Sequence, residues 1–258
     1  EPALRSADEE PRLRELREKI LAARTTRIRP GWDDKVLADW NGLMIAALSR
    51  AAMVFDKPEW LAASEKAFNF IVAHMTVNGR LLHAWRDGRA KAPATASDYA
   101  NMIWAALRLH EATAKDAYLA KAEEWTATLD QHYWVAEPGG YASTADDTDD
   151  VIVRLRNAQD DATPNANAIQ LSNLIALHLL TGEARYIQTA EAIPIAFAAD
   201  IGRNLLGHCA LMSGSMDLIS PQLISMMGSG SGAAGLEQEL NRISLPGAMQ
   251  YRLGSKTL

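Results

Sequence analysis

Carboxylates, amides and aromatic rings crowd three places along this chain, and such groups handle hydroxyl-rich ligands. The densest stretch, Arg29-Pro-Gly-Trp-Asp-Asp-Lys-Val-Leu-Ala-Asp-Trp-Asn-Gly42, sets Asp33, Asp34 and Asp39 beside Trp32, Trp40 and Asn41. The second holds Asp98 and Tyr99, with Trp85 upstream. The third holds Asp160, Asp161, Asn165 and Asn167, preceded by Arg154 and Arg156. Two carboxyl groups flanking a sugar can act as general acid and general base, and Asp98 with one of Asp33 and Asp34 are the catalytic candidates. Asp33 and Asp34 are adjacent and share no helix face, so one would point at substrate while the other caps a helix or pairs with Lys35. Trp40, Asn41, Trp85, Tyr99, Arg156, Asp161 and Asn167 are the expected substrate-binding set. The rings would stack on apolar sugar faces, and two arginines alternating in a strand would point the same way toward a carboxylate or phosphate.

Plainer explanations stand beside these. Asp39, Asp98 and Asn165 begin apolar helical runs, where Asp and Asn serve as N-caps; the functional reading comes from their repetition. The aromatics could simply pack, and Arg154 and Arg156 could be surface charges on an edge strand. His83, His110, His132 and His178 show no metal-ligand spacing and read as structural. No metal or cofactor is expected. Asp146-Asp-Thr-Asp-Asp150 lacks the glycine and terminal glutamate of a calcium loop and reads as solvated. Gly228-Ser-Gly-Ser-Gly-Ala-Ala-Gly235 contains G-x-G-x-x-G, but no acid follows the next strand, so it reads as a turn rather than a dinucleotide site.

The elements that must position these residues repeat. Asp39–Leu48, Asp98–Leu107 and Asn165–Leu174 align as helix starts, each followed by a short break at 55–58, 114–116 and 181–183. After each break an aromatic residue precedes a glutamate by five positions: Trp60 and Glu65, Tyr118 and Glu123, Tyr186 and Glu191. The unit is a helix hairpin recurring every ~60–70 residues. The chain therefore reads as mainly α: a leading helix and linker (1–28), α/α-toroid hairpins over 29–202 (37–75, 97–132 and 165–200), and a small βαβ-like tail (203–258). Short strands are expected at Gly79–Trp85, turning at Asp87-Gly88, and between Gly139–Ser143 and Val151–Arg154. Long connections of this kind are usually functional.

A net charge of −6 without a strongly basic stretch argues against nucleic acid and against an anionic membrane surface. No apolar run reaches membrane-spanning length, and the first residues, Glu1-Pro-Ala-Leu-Arg5, lack the apolar core expected of a signal peptide. Cys209 is the only cysteine, which suits a reducing, cytoplasmic location.

Asp33–Leu48 resembles the signature of thioredoxin-domain-containing proteins related to spermatogenesis-associated protein 20. The likeness continues through Ser97–Ala100, Leu109–Thr113, Gly139–Tyr141, Asp161–Asn167 and Leu180–Gly182. It implies an upstream thioredoxin-like domain and a six-hairpin toroid similar to those of N-acylglucosamine 2-epimerases and some glycosidases. Only three hairpins are present, and the chain does not begin with Met, so the remaining hairpins are expected upstream. Where that family has Pro-Ser-Gly-Asn-Ser, this chain reads Pro164-Asn-Ala-Asn-Ala168, keeping Asn167 but losing two hydroxyls and a glycine. The expected function is a carbohydrate-active toroid, glycosidase-like or sugar-epimerase-like, with a small carbohydrate ligand. The alternative is a non-catalytic sugar- or protein-binding module serving a redox partner domain. A third reading is that this piece is inactive without its upstream half.

Overall fold

The computed structural model describes residues 9–149, 151–228, 231–243, 245 and 247–253. Two compact units divide the chain, residues 1–34 and 35–258. The first unit contains α1 (Glu9–Thr25), an exposed helix with no buried residue.

In the second unit, β1 (Val36–Leu37) leads into α2 (Ala38–Phe55) and α3 (Pro58–His74). Three short strands follow: β2 (Thr76–Val77), β3 (Arg80–Arg86) and β4 (Arg89–Pro93). Next come α4 (Ala96–Thr113), α5 (Asp116–His132), α6 (Ala166–Thr181) and α7 (Ala184–Ala196). Each hairpin turns at a left-handed residue that ends the first helix: Asp56, Ala114 and Gly182. A residue in this conformation lets the backbone close over the last helical carbonyls and reverse direction. Pro58 then opens α3, where its missing N–H costs nothing.

Helices α2, α4 and α6 lie side by side, with α3, α5 and α7 packed behind them. Burial follows that layering: α4 buries 14 of its 18 residues, whereas only Ser64, Phe68 and Ile71 of α3 are buried. Gly42 fixes the α2–α4 approach, since a Cβ there would lie 2.6 Å from the Asn101 carbonyl carbon. The repeated glutamate and aromatic join neighbouring hairpins. Glu65 accepts from Tyr118 Oη at 2.8 Å, and Glu123 accepts from Tyr186 Oη at 3.4 Å.

The small sheet has the order β1-β3-β2, with β4 also paired to β3. Asp87 and Gly88, both at positive φ, close the β3–β4 hairpin between the paired Arg86 and Arg89. No strand forms among the described residues of 151–163. The expected partner strand there is replaced by a bridge between Trp134 and Tyr141 and one bond from Ser143 N to Leu155 O. Asp146, Asp147 and Asp149 of the acidic run are exposed, as a solvated loop requires, yet two of these carboxylates have partners. Asp147 takes both guanidinium nitrogens of Arg80 at 2.9 and 3.2 Å, and Asp146 meets His132 Nδ1 at 2.9 Å.

Downstream, α8 (Ala198–Arg203), a 3-10 turn (Leu205–His208) and α9 (Cys209–Ile219) pack against α6 and α7. Strands β5 (Gln222–Met227) and β6 (Ala248–Leu253) pair in parallel across α10 (Ser231–Arg242), forming the βαβ tail. Glu111 at the end of α4 accepts from Gln250 N at 2.9 Å and ties this tail to the hairpins. Part of the glycine-rich turn, at 229–230, and the 254–256 segment after β6 lie outside the described residues. No helix among the described residues is long and apolar enough to cross a membrane.

Candidate functional site

A buried carboxyl group organises the helix-start end of the inner layer. Asp98 is the third residue of α4 and is fully buried. It forms a reciprocal cap with Thr95: Asp98 Oδ2 accepts from Thr95 N at 2.7 Å and Thr95 Oγ1 at 2.9 Å, while Thr95 Oγ1 accepts from Asp98 N at 3.4 Å. Asp98 Oδ1 accepts from Asp39 N at 3.0 Å, which joins the starts of α2 and α4. His83 Nδ1 lies 3.0 and 2.9 Å from the two carboxyl oxygens.

The sheet delivers His83 to this point. Val36 pairs with Trp85 and Leu37 with Ala84, so the next step of that register carries the chain into α2 beside His83. Asp39, in the first turn of α2, is half-buried and accepts from Trp40 N at 2.7 Å. The His83 side chain is 33% exposed, and its Nδ1 is held on Asp98.

Electrostatics move both accessible groups. The hydrogen bond to Asp98 raises the His83 pKa; the negative charge of Asp98 and Asp39 adds to this, against partial desolvation. Burial raises the Asp39 pKa and the nearby Asp98 adds to it, against the Trp40 N–H and His83. Two proton-carrying groups whose titrations are both displaced upward therefore lie close together, backed by a third that holds one of them in place.

Ligand atoms of Asp39, His83 and Asp98 all lie within 4.8 Å of one another, which is also a spacing a cation could use. Asp98 already accepts from two backbone N–H groups and a hydroxyl besides His83. A metal would have to displace those donors, so the cluster fits proton handling better than metal binding.

The residues expected to form a site are distributed differently. Asp33 and Asp34 are exposed and belong to the separate 1–34 unit. Trp40 is 61% exposed, next in sequence to Asp39, and Asn41 donates to Leu37 O at 2.8 Å. Tyr99 offers no stacking face: it is fully buried and its Oη accepts from Leu81 N at 2.9 Å. Trp85 packs edge-on against Phe70, with centroids 5.6 Å apart, and beside His74.

Arg156 donates to Gly139 O at 2.8 Å and covers the Phe197 ring, so it braces a loop instead of projecting from a strand. Arg154 is likewise bound to the carbonyls of Thr144 and His132. Asp161 is exposed. Asn167 is buried and holds both Tyr141 N and Tyr141 O, at 2.7 and 3.0 Å, as a side-chain clamp on the 139–141 turn. Of the three aligned helix starts, only Asn165 is itself an N-cap, accepting from Asn167 N at 2.8 Å. Asp39 lies one residue inside α2 and leaves the N-cap to Leu37. His83, read as structural from sequence, sits on the Asp98 carboxyl group, a contact that its position in the sequence did not reveal.

No protein-family model matches the chain. Human spermatogenesis-associated protein 20 is 30% identical over 197 residues, which is 72% of this chain. The chain is a homologue of spermatogenesis-associated protein 20. It spans 25% of that relative's length. A GH76 α-mannanase of Bacteroides thetaiotaomicron superposes with a TM-score of 0.61 at 12% identity, over 83% of this chain and 59% of its own. A cellobiose 2-epimerase of Spirochaeta thermophila superposes with a TM-score of 0.52 at 18% identity, over 74% and 55% respectively. These enzymes share the α/α-toroid architecture with this chain, and identities this low speak for the fold alone.

Proposed function

We propose that this chain carries a proton-transfer site for a carbohydrate, with His83 as the general acid or base, Asp39 as its partner and Asp98 as the positioning residue. The observation that carries the reading is His83 itself: one ring nitrogen is pinned on a buried carboxyl group, while the ring keeps a third of its surface exposed close to a half-buried Asp39. Asp98 cannot touch substrate, being fully enclosed, so it acts through His83. Trp40, exposed on the next residue, supplies a ring face for sugar C–H groups.

The arrangement favours epimerase-like or isomerase-like proton transfer over glycoside hydrolysis. Glycosidases need two accessible carboxyl groups, about 5–5.5 Å apart in retaining and about 6.5–9.5 Å in inverting enzymes. Asp39 and Asp98 approach within 4.8 Å, and one of them is sealed from solvent. A histidine with a raised pKa can instead deliver a proton to, or take one from, a carbon beside a carbonyl. The shared architecture with a sugar epimerase and a mannanase supports a carbohydrate as the ligand.

The test is hydrogen exchange at C2 of D-mannose, N-acetyl-D-glucosamine and cellobiose in D2O, followed by proton NMR. The expected result is loss of the C2 proton signal with one of these sugars, abolished by His83→Gln. Exchange that survives His83→Gln, or none with any sugar, overturns the assignment.

A further inference from the structure

The C-terminal half of α2 borders an open groove that the His83 cluster does not use. The groove lies between α2, α4 and the turn before β6 and encloses about 470 Å³, a size common among small-molecule sites. Val54 and Phe55 of α2, Trp104 of α4 and Leu245 give it apolar walls.

Two charged groups line this groove among the described residues, Arg50 of α2 and Arg108 of α4, and both are cationic. They differ in what already occupies them. Arg108 donates to Glu111 Oε2 at 2.6 Å, and the buried Glu111 takes Gln250 N on its other oxygen at 2.9 Å, so that charge is matched. Arg50 is half-buried and meets no carboxylate, carbonyl or ring among the described residues. A guanidinium group keeps its charge at any ordinary pH and loses hydration beside apolar neighbours, so an unmatched one in such a place favours an anion. Asp217 lines the neighbouring cavity of α6 and α9 rather than this groove. Arg50 also precedes the last turn of α2, the only part where the negative helix end would oppose an anion.

We propose that this groove binds a small amphipathic monocarboxylate, an alkyl or aryl acid. Its carboxylate takes a bidentate bond from Arg50, and its apolar body lies along Val54, Phe55 and Trp104. One unmatched guanidinium fits a single negative charge, whereas a dianion such as phosphate needs a second, and Glu111 holds that one. A cationic amine meets like charge, and a neutral polyol offers Arg50 no counter-charge. Arg50 stands eleven residues beyond Asp39 on the same helix, about 16 Å along its axis, so this site and the His83 site stand or fall separately.

The experiment is calorimetric titration of the whole chain with octanoate, compared with octanamide, octylamine and inorganic phosphate. The Trp104 indole N–H, assigned through Trp104→Phe, is followed by NMR, with the Trp40 signal reporting the other end of α2. The expected result is saturable octanoate binding that shifts the Trp104 signal and not that of Trp40. Octanoate should bind about tenfold or more tightly than octanamide, and phosphate should not displace it. Arg50→Gln should weaken octanoate about tenfold or more, Arg50→Lys less, and His83→Gln should leave it unchanged. The comparison of octanoate with octanamide uses the unaltered chain, so it decides the matter even where a variant does not fold. Equal binding of the two, a preference for octylamine, or displacement by phosphate overturns the monocarboxylate assignment. Undiminished binding in folded Arg50→Gln, a shift at Trp40 in place of Trp104, or no octanoate binding overturns the site.

Discussion

Replacing Asp98 by Asn is the sharpest perturbation of the His83 cluster, because it keeps the shape and changes only which atoms accept. Asp98 Oδ2 receives Thr95 N and Thr95 Oγ1, Oδ1 receives Asp39 N, and both face His83 Nδ1. An amide group has one oxygen. If that oxygen faces Thr95, the NH2 meets Asp39 N; if it faces Asp39, the NH2 meets the Thr95 donor pair. Either orientation sets donor against donor in a fully buried place, which costs ~1–3 kcal/mol. The charge-assisted bond to His83 weakens as well, discounted because that ring is a third exposed. The expected loss for Asp98→Asn is therefore about 2–4 kcal/mol in urea unfolding near pH 6.

The pH dependence follows from the sign of the His83 shift. Its folded pKa lies above the unfolded value, so its contribution is complete below the unfolded pKa and disappears as pH rises through the folded one. The stability deficit of His83→Gln should accordingly be larger at pH 5.5 than at pH 8.5. In Asp98→Asn, the His83 titration followed by NMR should move down. The reasoning is refuted if the His83 titration is the same in both proteins, or if the His83→Gln deficit does not shrink with rising pH.

Other perturbations probe the scaffold. Gly42→Ala should destabilise by ~1–3 kcal/mol through forced separation of α2 and α4, read as a lower urea midpoint, even though alanine is the better helix former. Gly182→Ala meets no atom within 4 Å, so its expected cost of about 1 kcal/mol is that of a left-handed alanine alone. A double-mutant cycle of Glu65→Gln and Tyr118→Phe should return a coupling of about 1 kcal/mol, and a coupling near zero would mean the contact is incidental. Asp39→Asn should gain relative stability as pH rises above the range where Asp39 ionises, since its folded pKa is raised; a gain confined to low pH would contradict that shift.

The hairpins were legible because their signals are local: an apolar stripe, a break, a second stripe. The repeated aromatic and glutamate were equally visible, but their pairing spans 53 and 63 residues, and no periodicity reveals which partner they meet. The same limit hid His83. The Gly79–Trp85 strand and the Asp98 helix start could each be read, but what joins them is the pairing of β1 with β3, a two-residue strand too short to read from sequence. Tyr99 offers no stacking surface for a tertiary reason. A first-turn or strand residue is exposed only if nothing packs over it, and α4 is covered on nearly every side. Arg154 and Arg156 were expected to alternate along a strand, which requires ladder bonds that the 151–163 backbone does not make; its carbonyl-bound arginines hold the loop instead.

The glutamate–tyrosine contacts between hairpins have a direction. In both, the earlier hairpin offers the carboxylate and the later one the hydroxyl, so the row has a polarity, as a polymer of asymmetric subunits does. Glu191, exposed on α7, stands where Glu65 and Glu123 stand in their own hairpins. Trp60 occupies the place of Tyr118 and Tyr186 in its own hairpin, where an indole N–H replaces the phenol. Adding or deleting one whole hairpin preserves this polarity, whereas reversing one would bring like groups together. Such a row can change length in evolution by whole units without redesigning its joints.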